Sequence, residues 1–179
     1  MSTTTPNSPK TSDLREGEIW LGIDPGSRVT GYALLEDLGR RVRVLEYGVF
    51  TAPEGLPLSE RLLRISRPLE ERLRQYSPSR LAMESPFVKI NAHSALVLGH
   101  VRGAVMLLAA QRGIPVTELS PASVKQAVTG KGNADKETVA FMMQRILQLR
   151  ELPSPTDASD ALAIAWTGLT SARNPLAGR

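Results

Sequence analysis

Glu18 to Gly26 reads EIWLGIDPG. An apolar run ends in an acid and is cut off by Pro25-Gly26, the pattern of a strand that stops at a tight turn. Two more apolar runs follow it, Thr30 to Glu36 (TGYALLE) and Arg41 to Phe50 (RVRVLEYGVF). Asp37-Leu38-Gly39-Arg40 between them has turn chemistry. The third run alternates through Val42 and Val44, and more loosely through Leu45 and Tyr47. Three strands on short connections predict an antiparallel meander.

The period then changes. Leu58, Leu62, Ile65, Leu69 and Leu73 recur at spacings of three and four, which predicts an amphipathic helix over 58–76, bent at Pro68. Its arginines (Arg61, Arg64, Arg67, Arg72, Arg74) are expected to form a solvated face. Arg80 to Glu84 (RLAME) is a short strand ending before Ser85-Pro86. Asn91 to Arg112 reads as a long helix stopped by Gly113, and Ile114 to Leu119 as another strand. Ser120-Pro121 puts a capping hydroxyl before a proline, a good helix start. That helix should end near Gly130, with further helices over 135–149 and from Pro155 to about Thr170. The order βββαβαβααα predicts an α/β fold: a five-stranded mixed sheet flanked by helices on both faces. The first strand should be central, with the strand ending at Glu84 beside it and parallel to it.

Composition bounds the rest. The chain has 179 residues, about one domain at roughly 150 residues per domain. It has no cysteine, which excludes a disulfide-stapled module, a zinc finger and a thiol nucleophile. The longest unbroken apolar run is Ala104 to Ala110, far short of the roughly 20 residues that span a bilayer, so no membrane is expected as a partner. The polar start shows no signal peptide, and a cytoplasmic location is the expectation. A net charge of +4 and a pI near 9.8 favour a polyanionic partner. Residues 1–17 are expected to be a disordered tail, 18–170 the folded domain and 171–179 a flexible C-terminal tail.

Four acids stand out by position. Asp24 and Glu84 each close a strand, so parallel neighbours would bring both to the same carboxyl edge, where open α/β sheets place their sites. Asp157 and Asp160 are three apart at the start of the last helix and share a face. Taken singly, an Asp beside a turn or at a helix start is a turn former or a dipole partner. Taken together, four converging carboxylates repel one another and need cations. Oxygen ligands without Cys suit Mg²⁺ or Mn²⁺, and a pair of such ions suits phosphodiester hydrolysis by in-line attack of water.

At this point the chain resembles the RuvC Holliday-junction resolvases. Leu21 to Ala33 (LGIDPGSRVTGYA) is similar to their opening motif, and Ala82 to Phe87 (AMESPF) to their second acidic segment. Ala95 to Gly103 (ALVLGHVRG) is similar to the helix that follows. Ser120 to Val128 (SPASVKQAV) with Gly130 to Lys136 (GKGNADK) resembles their basic segment, and Asp157 to Ala165 (DASDALAIA) their last acidic motif. The resemblance implies an RNase H-like nuclease domain and a Mg²⁺-dependent endonuclease that cuts four-way DNA junctions in recombination and repair. It implies that Asp24, Glu84, Asp157 and Asp160 are catalytic and hold two Mg²⁺ ions, which Mn²⁺ could replace. It implies that Phe87 stacks on a base, and that Lys125 and Lys136 act near the scissile phosphate. It also implies a homodimer and a RuvA/RuvB-type branch-migration partner.

Other basic residues, Arg28, Lys89 and Lys131, follow strands or precede helices and could neutralise flanking phosphates. Gly130-Lys131 is not a P-loop, because Lys125 and Gly132 stand where that motif needs Gly and Ser or Thr. Ala95, Gly99 and Gly103 would permit close helix contact, either within a subunit or across a dimer. The competing readings are an actin-like or sugar-kinase-like ATPase, a catalytically silent junction binder and an RNA-processing nuclease of the same fold.

Overall fold

The structure, a computed structural model, describes residues 17–85 and 92–174. Five strands run β1 (Ile19–Asp24), β2 (Val29–Asp37), β3 (Val42–Thr51), β4 (Arg80–Glu84) and β5 (Val116–Leu119). Five helices run α1 (Leu58–Tyr76), α2 (Ala92–Ala110), α3 (Pro121–Thr129), α4 (Lys136–Ile146) and α5 (Thr156–Arg173). The sheet order is β3-β2-β1-β4-β5. β1, β2 and β3 pair antiparallel as the meander, while β4 and β5 join parallel to β1. The element order and the central place of β1 are those expected from the sequence.

Strand alternation divides the core in two. Leu21, Ile23, Leu81 and Met83 point to the face covered by α1 and α2, among Ile65, Leu69, Val101 and Val105. Trp20 and Ala82 point to the other face, beneath α5 and the side chains of α3 and α4. The loose alternation in β3 is a β-bulge. Leu34 pairs with Glu46 and Leu35 with Val44, which leaves Leu45 as the extra residue.

Several boundaries differ from expectation. α1 does not: it spans Leu58–Tyr76 as expected, with Pro68 inside it and a buried row of Ile65, Leu69 and Leu73. Its arginines are not all solvated: Arg72 reaches Glu46 at 3.0 Å and Arg61 donates to the Ser27 carbonyl. β5 begins at Val116 because the Ile114 N–H is used to close α2, on the Ala109 carbonyl. α4 stops at Ile146, and Gln148 takes a left-handed φ of 53°. α5 runs to Arg173 and not Thr170, so 171–173 are helix and not tail. Arg173 grips the Asp37 carboxylate, with Nε at 3.0 Å, and ties the helix end to β2. The segment before residue 17, expected as a tail, lies outside the described residues.

Two glycines set the position of α5. A Cβ on Gly22 would overlap the Ala161 carbonyl and lie 2.6 Å from the Ala165 nitrogen. A Cβ on Gly31 would overlap the Asp157 carbonyl group. The helix therefore lies backbone against backbone on β1 and β2. Gly31→Ala is expected to lose about 3 kcal/mol or more by overpacking, read as a lower urea midpoint at unchanged slope. An unchanged midpoint would show that α5 can lift without cost.

α2 is the one helix among the described residues long and apolar enough to cross a membrane by length and composition. Here it lies on the sheet side of the domain with Val101, Val105 and Ala109 buried. Its outer side is open: Leu96 and Leu107 are 63% and 60% exposed. Among the described residues, a Cβ on Gly99 or Gly103 would meet nothing within 4 Å.

Candidate active site

Parity along the strands decides which acids can meet. Ile23 faces Met83 in the parallel ladder, so Asp24 and Glu84 follow side by side. Both lie on the face shared by Trp20, Gly22 and Ala82, which is the face α5 covers. The contact at Gly22 and Gly31 then lowers the first turns of α5 onto that edge. Asp24, Glu84 and Asp160 line one cleft of about 110 Å³, walled by Pro121, Val124, Val139 and Ile164.

Two lysines complete it. Ser120 caps α3 by accepting from the Ser123 N–H at 3.0 Å, and Lys125 projects from that helix into the cleft. Asp135 caps α4 by accepting from the Thr138 N–H at 2.7 Å, which fixes Lys136 at the helix start. Lys136 Nζ donates to Asp160 Oδ2 at 2.7 Å.

The electrostatics follow from the crowding. Burial, then Asp160 and Glu84, push the Asp24 carboxyl up to about 7. Burial and Asp160 also raise Glu84, against the pull of Lys136, Lys125 and Arg102. The Asp160 hydrogen bond raises Lys136. Asp157 does not line the cleft, but Asp24 and Lys136 both feel its charge.

Among the described residues, no three acidic or imidazole groups stand together as a finished metal cage. The Lys136 ammonium sits where it offsets part of the acidic charge. The donor set itself is all carboxylate oxygen, partly buried and mutually repelling, and that chemistry fits a hard divalent cation.

The remaining expected residues fall differently. Arg28 is exposed and ion-paired with Glu54, outside the cleft. Lys131 is exposed in the α3–α4 loop and also outside it. Phe87 and Lys89 lie outside the described residues. Arg102 was missed. It is only 7% exposed, donates to the Glu84 carbonyl, and pairs with Glu118 at 2.9 Å. Its signal in the sequence was a lone permanent charge in an otherwise apolar helix, since such a charge needs a buried partner.

A family model described as crossover junction endodeoxyribonuclease RuvC matches residues 20–168. The chain belongs to the RuvC family. RuvC of Halorhodospira halophila is 48% identical over 145 residues, covering 81% of this chain and 86% of its own. RuvC of Desulforamulus reducens is 43% identical over 147 residues, covering 82% and 90%. The structure of Thermus thermophilus RuvC superposes with a TM-score of 0.79 at 37% identity, covering 87% of this chain and 95% of that one. A structure of the same RuvC in complex with Holliday junction substrate gives the same TM-score at 35% identity and the same coverage. The five-stranded mixed sheet is thus the RNase H-like fold of the RuvC family.

Proposed function

We propose that the chain is a crossover junction endodeoxyribonuclease that resolves four-way DNA junctions by paired symmetric nicks in recombination and repair. The observation that carries this reading is the cleft in which Asp24, Glu84 and Asp160 meet Lys125 and Lys136, in a chain of the RuvC family. Asp24, Glu84, Asp157 and Asp160 would hold two Mg²⁺ ions, or Mn²⁺. When bound, such ions supply Lewis-acid stabilisation of phosphodiester hydrolysis.

The chain's own residues do the rest. Asp24 and Glu84 sit on adjacent strand ends, so their spacing is held by the ladder. Lys136 can exchange Asp160 for a phosphate oxygen when DNA enters, and Lys125 adds a second positive charge to the cleft lining. Phe87 stacks on a base near the crossover, and Arg28, Lys89 and Lys131 contact flanking phosphates. Pro121, Val124, Val139 and Ile164 restrict water around the reacting phosphate. A branch-migration complex of the RuvA/RuvB type would present the junction, and the enzyme would work in the cytoplasm.

Arg102 positions Glu84 by holding its carbonyl. Arg102→Gln is expected to slow cleavage about tenfold or more with junction affinity within about twofold, and to cost about 1–3 kcal/mol of stability. Weaker binding at an unchanged rate would assign Arg102 to DNA instead.

A homodimer is supported by the open stripe of Leu96, Gly99, Gly103 and Leu107 on α2, because a two-fold dimer presents two identical sites to a junction of two-fold symmetry. Leu107→Asp is expected to give monomers by light scattering and single, unpaired nicks. A variant that remains dimeric would move the interface elsewhere.

The test of the function is cleavage of synthetic immobile and partly mobile four-way junctions with Mg²⁺, Mn²⁺ or EDTA, beside linear duplex. Paired nicks only on junctions and only with metal are the expected result. Tight binding without cleavage of either junction would instead make the protein a junction binder.

A further inference from the structure

A second cleft, of about 570 Å³, opens at the other end of the sheet. β2 runs antiparallel to β1, so Glu36 pairs with Ile19 at the start of β1, far from Asp24 at its end. The β2–β3 turn, the first residues of β3 and the α4–α5 connection form its walls. Val44, Leu147 and Trp166 give it an apolar floor continuous with the core under α5.

Its rim is unlike its floor. Arg40, Arg41, Arg43 and Arg173 line the cleft, and no acid does. Arg43 is neutralised by Glu36 and Arg173 by Asp37. Arg40 and Arg41 are exposed and form no ion pair among the described residues. Adjacent unpaired cations beside an apolar hollow complement a ligand that is anionic and apolar at once. The volume lies within the roughly 300–1,000 Å³ of ordinary ligand clefts, room for a few side chains. A DNA duplex would meet the arginine rim but leave the hollow empty, and a free phosphate would leave the floor in water.

We propose that this cleft docks an acidic segment of a partner protein, with an apolar side chain on Val44, Leu147 and Trp166 and carboxylates on Arg40 and Arg41. Such a partner leaves the acidic cleft open, so it can be held while a junction is bound. The charged rim sets approach and selects against basic sequences, while the floor sets residence.

The experiment uses the full chain at physiological salt. Fluorescence anisotropy follows a labelled peptide, Gly-Asp-Asp-Leu-Asp-Phe-Asp. Two controls carry Ser in place of Leu and Phe, or Lys in place of Asp. The doubly substituted variant Arg40→Glu, Arg41→Glu tests the rim, both sites being exposed, and its unchanged thermal melt is the control for folding. The expected result is saturable binding, at least about tenfold weaker for both controls and for the double variant, with junction cleavage by that variant unchanged. Absence of saturable binding, equal binding of the Ser control, or undiminished affinity in the double variant would overturn the proposal. Displacement of the peptide by linear duplex, or loss of cleavage in the double variant, would assign the rim to DNA and overturn it as well.

Discussion

Asp24→Asn is expected to lower junction cleavage by about 10³-fold or more while junction binding stays within a few-fold of wild type. Binding is carried by cations on phosphates, and Asp24 contributes none. On the proposed reading cleavage would need the full carboxylate set, because each acid lost would weaken the hold on a divalent ion. The same variant should be more stable without metal. The folded Asp24 carboxyl is raised from 3.8 to about 7. The folded state therefore holds that proton more tightly than the unfolded chain does. Below about pH 4 both states are protonated and there is no penalty. As pH rises towards 7 the unfolded chain ionises first, so stability falls, and above 7 the cost is complete. Removing the charge should return on the order of 3 kcal/mol, or roughly 5–10 °C in melting temperature, in EDTA above pH 7 and almost nothing near pH 4. Thermal melts across this pH range check the sign. A destabilised variant at pH 8, or one that still cuts, would remove Asp24 from the centre of the site.

The second large effect is expected from Lys136→Ala. Among the described residues, its ammonium is the one cleft group that donates directly to a site carboxylate, at 2.7 Å from Asp160. Junction cleavage should fall about 10²–10³-fold, a scale set by losing one charge-stabilising donor at a reacting group. Junction affinity should drop little, and the slope of log affinity against log salt should flatten by about one, the signature of a single lost phosphate contact. Lys136→Arg keeps the charge and should recover part of the rate. Cleavage within about threefold of wild type would leave Lys136 as a structural partner of Asp160 alone.

Much of this was legible in the sequence because it was local. A strand that ends in Asp before Pro-Gly, and another that ends in Glu before Ser-Pro, announce two acids at one sheet edge once the strands are parallel. The cap at Ser120 marks where the helix bearing Lys125 begins, and the helix expected from 135 places Lys136 in its first turn. What lay beyond reach depended on distance along the chain. The Lys136–Asp160 pair joins residues 24 positions apart, and nothing in either segment names the other. Asp157 and Asp160 stand three apart on α5, yet of the two Asp160 lines the cleft, while the Asp157 carbonyl lies against Gly31 of β2. Arg40 reads as a turn residue and Arg41 as the start of the third strand, and neither segment announces the wall that α4 and α5 supply beside them.

The seating of α5 on Gly22 and Gly31 has a consequence for how this family can vary. Where a helix rests on side chains, every change of side-chain volume moves it. At Gly22 and Gly31 main chain meets main chain, whereas at Gly168 the helix rests on the Trp20 and Ala82 side chains, so the N-terminal half of α5, which carries Asp160, is seated mainly on atoms that mutation cannot resize. Substitutions elsewhere in the two cores should then erode the lifetime of the fold before they blur the alignment of the acids. The alignment of Asp24 with Asp160 is thus expected to be most sensitive at Gly22 and Gly31.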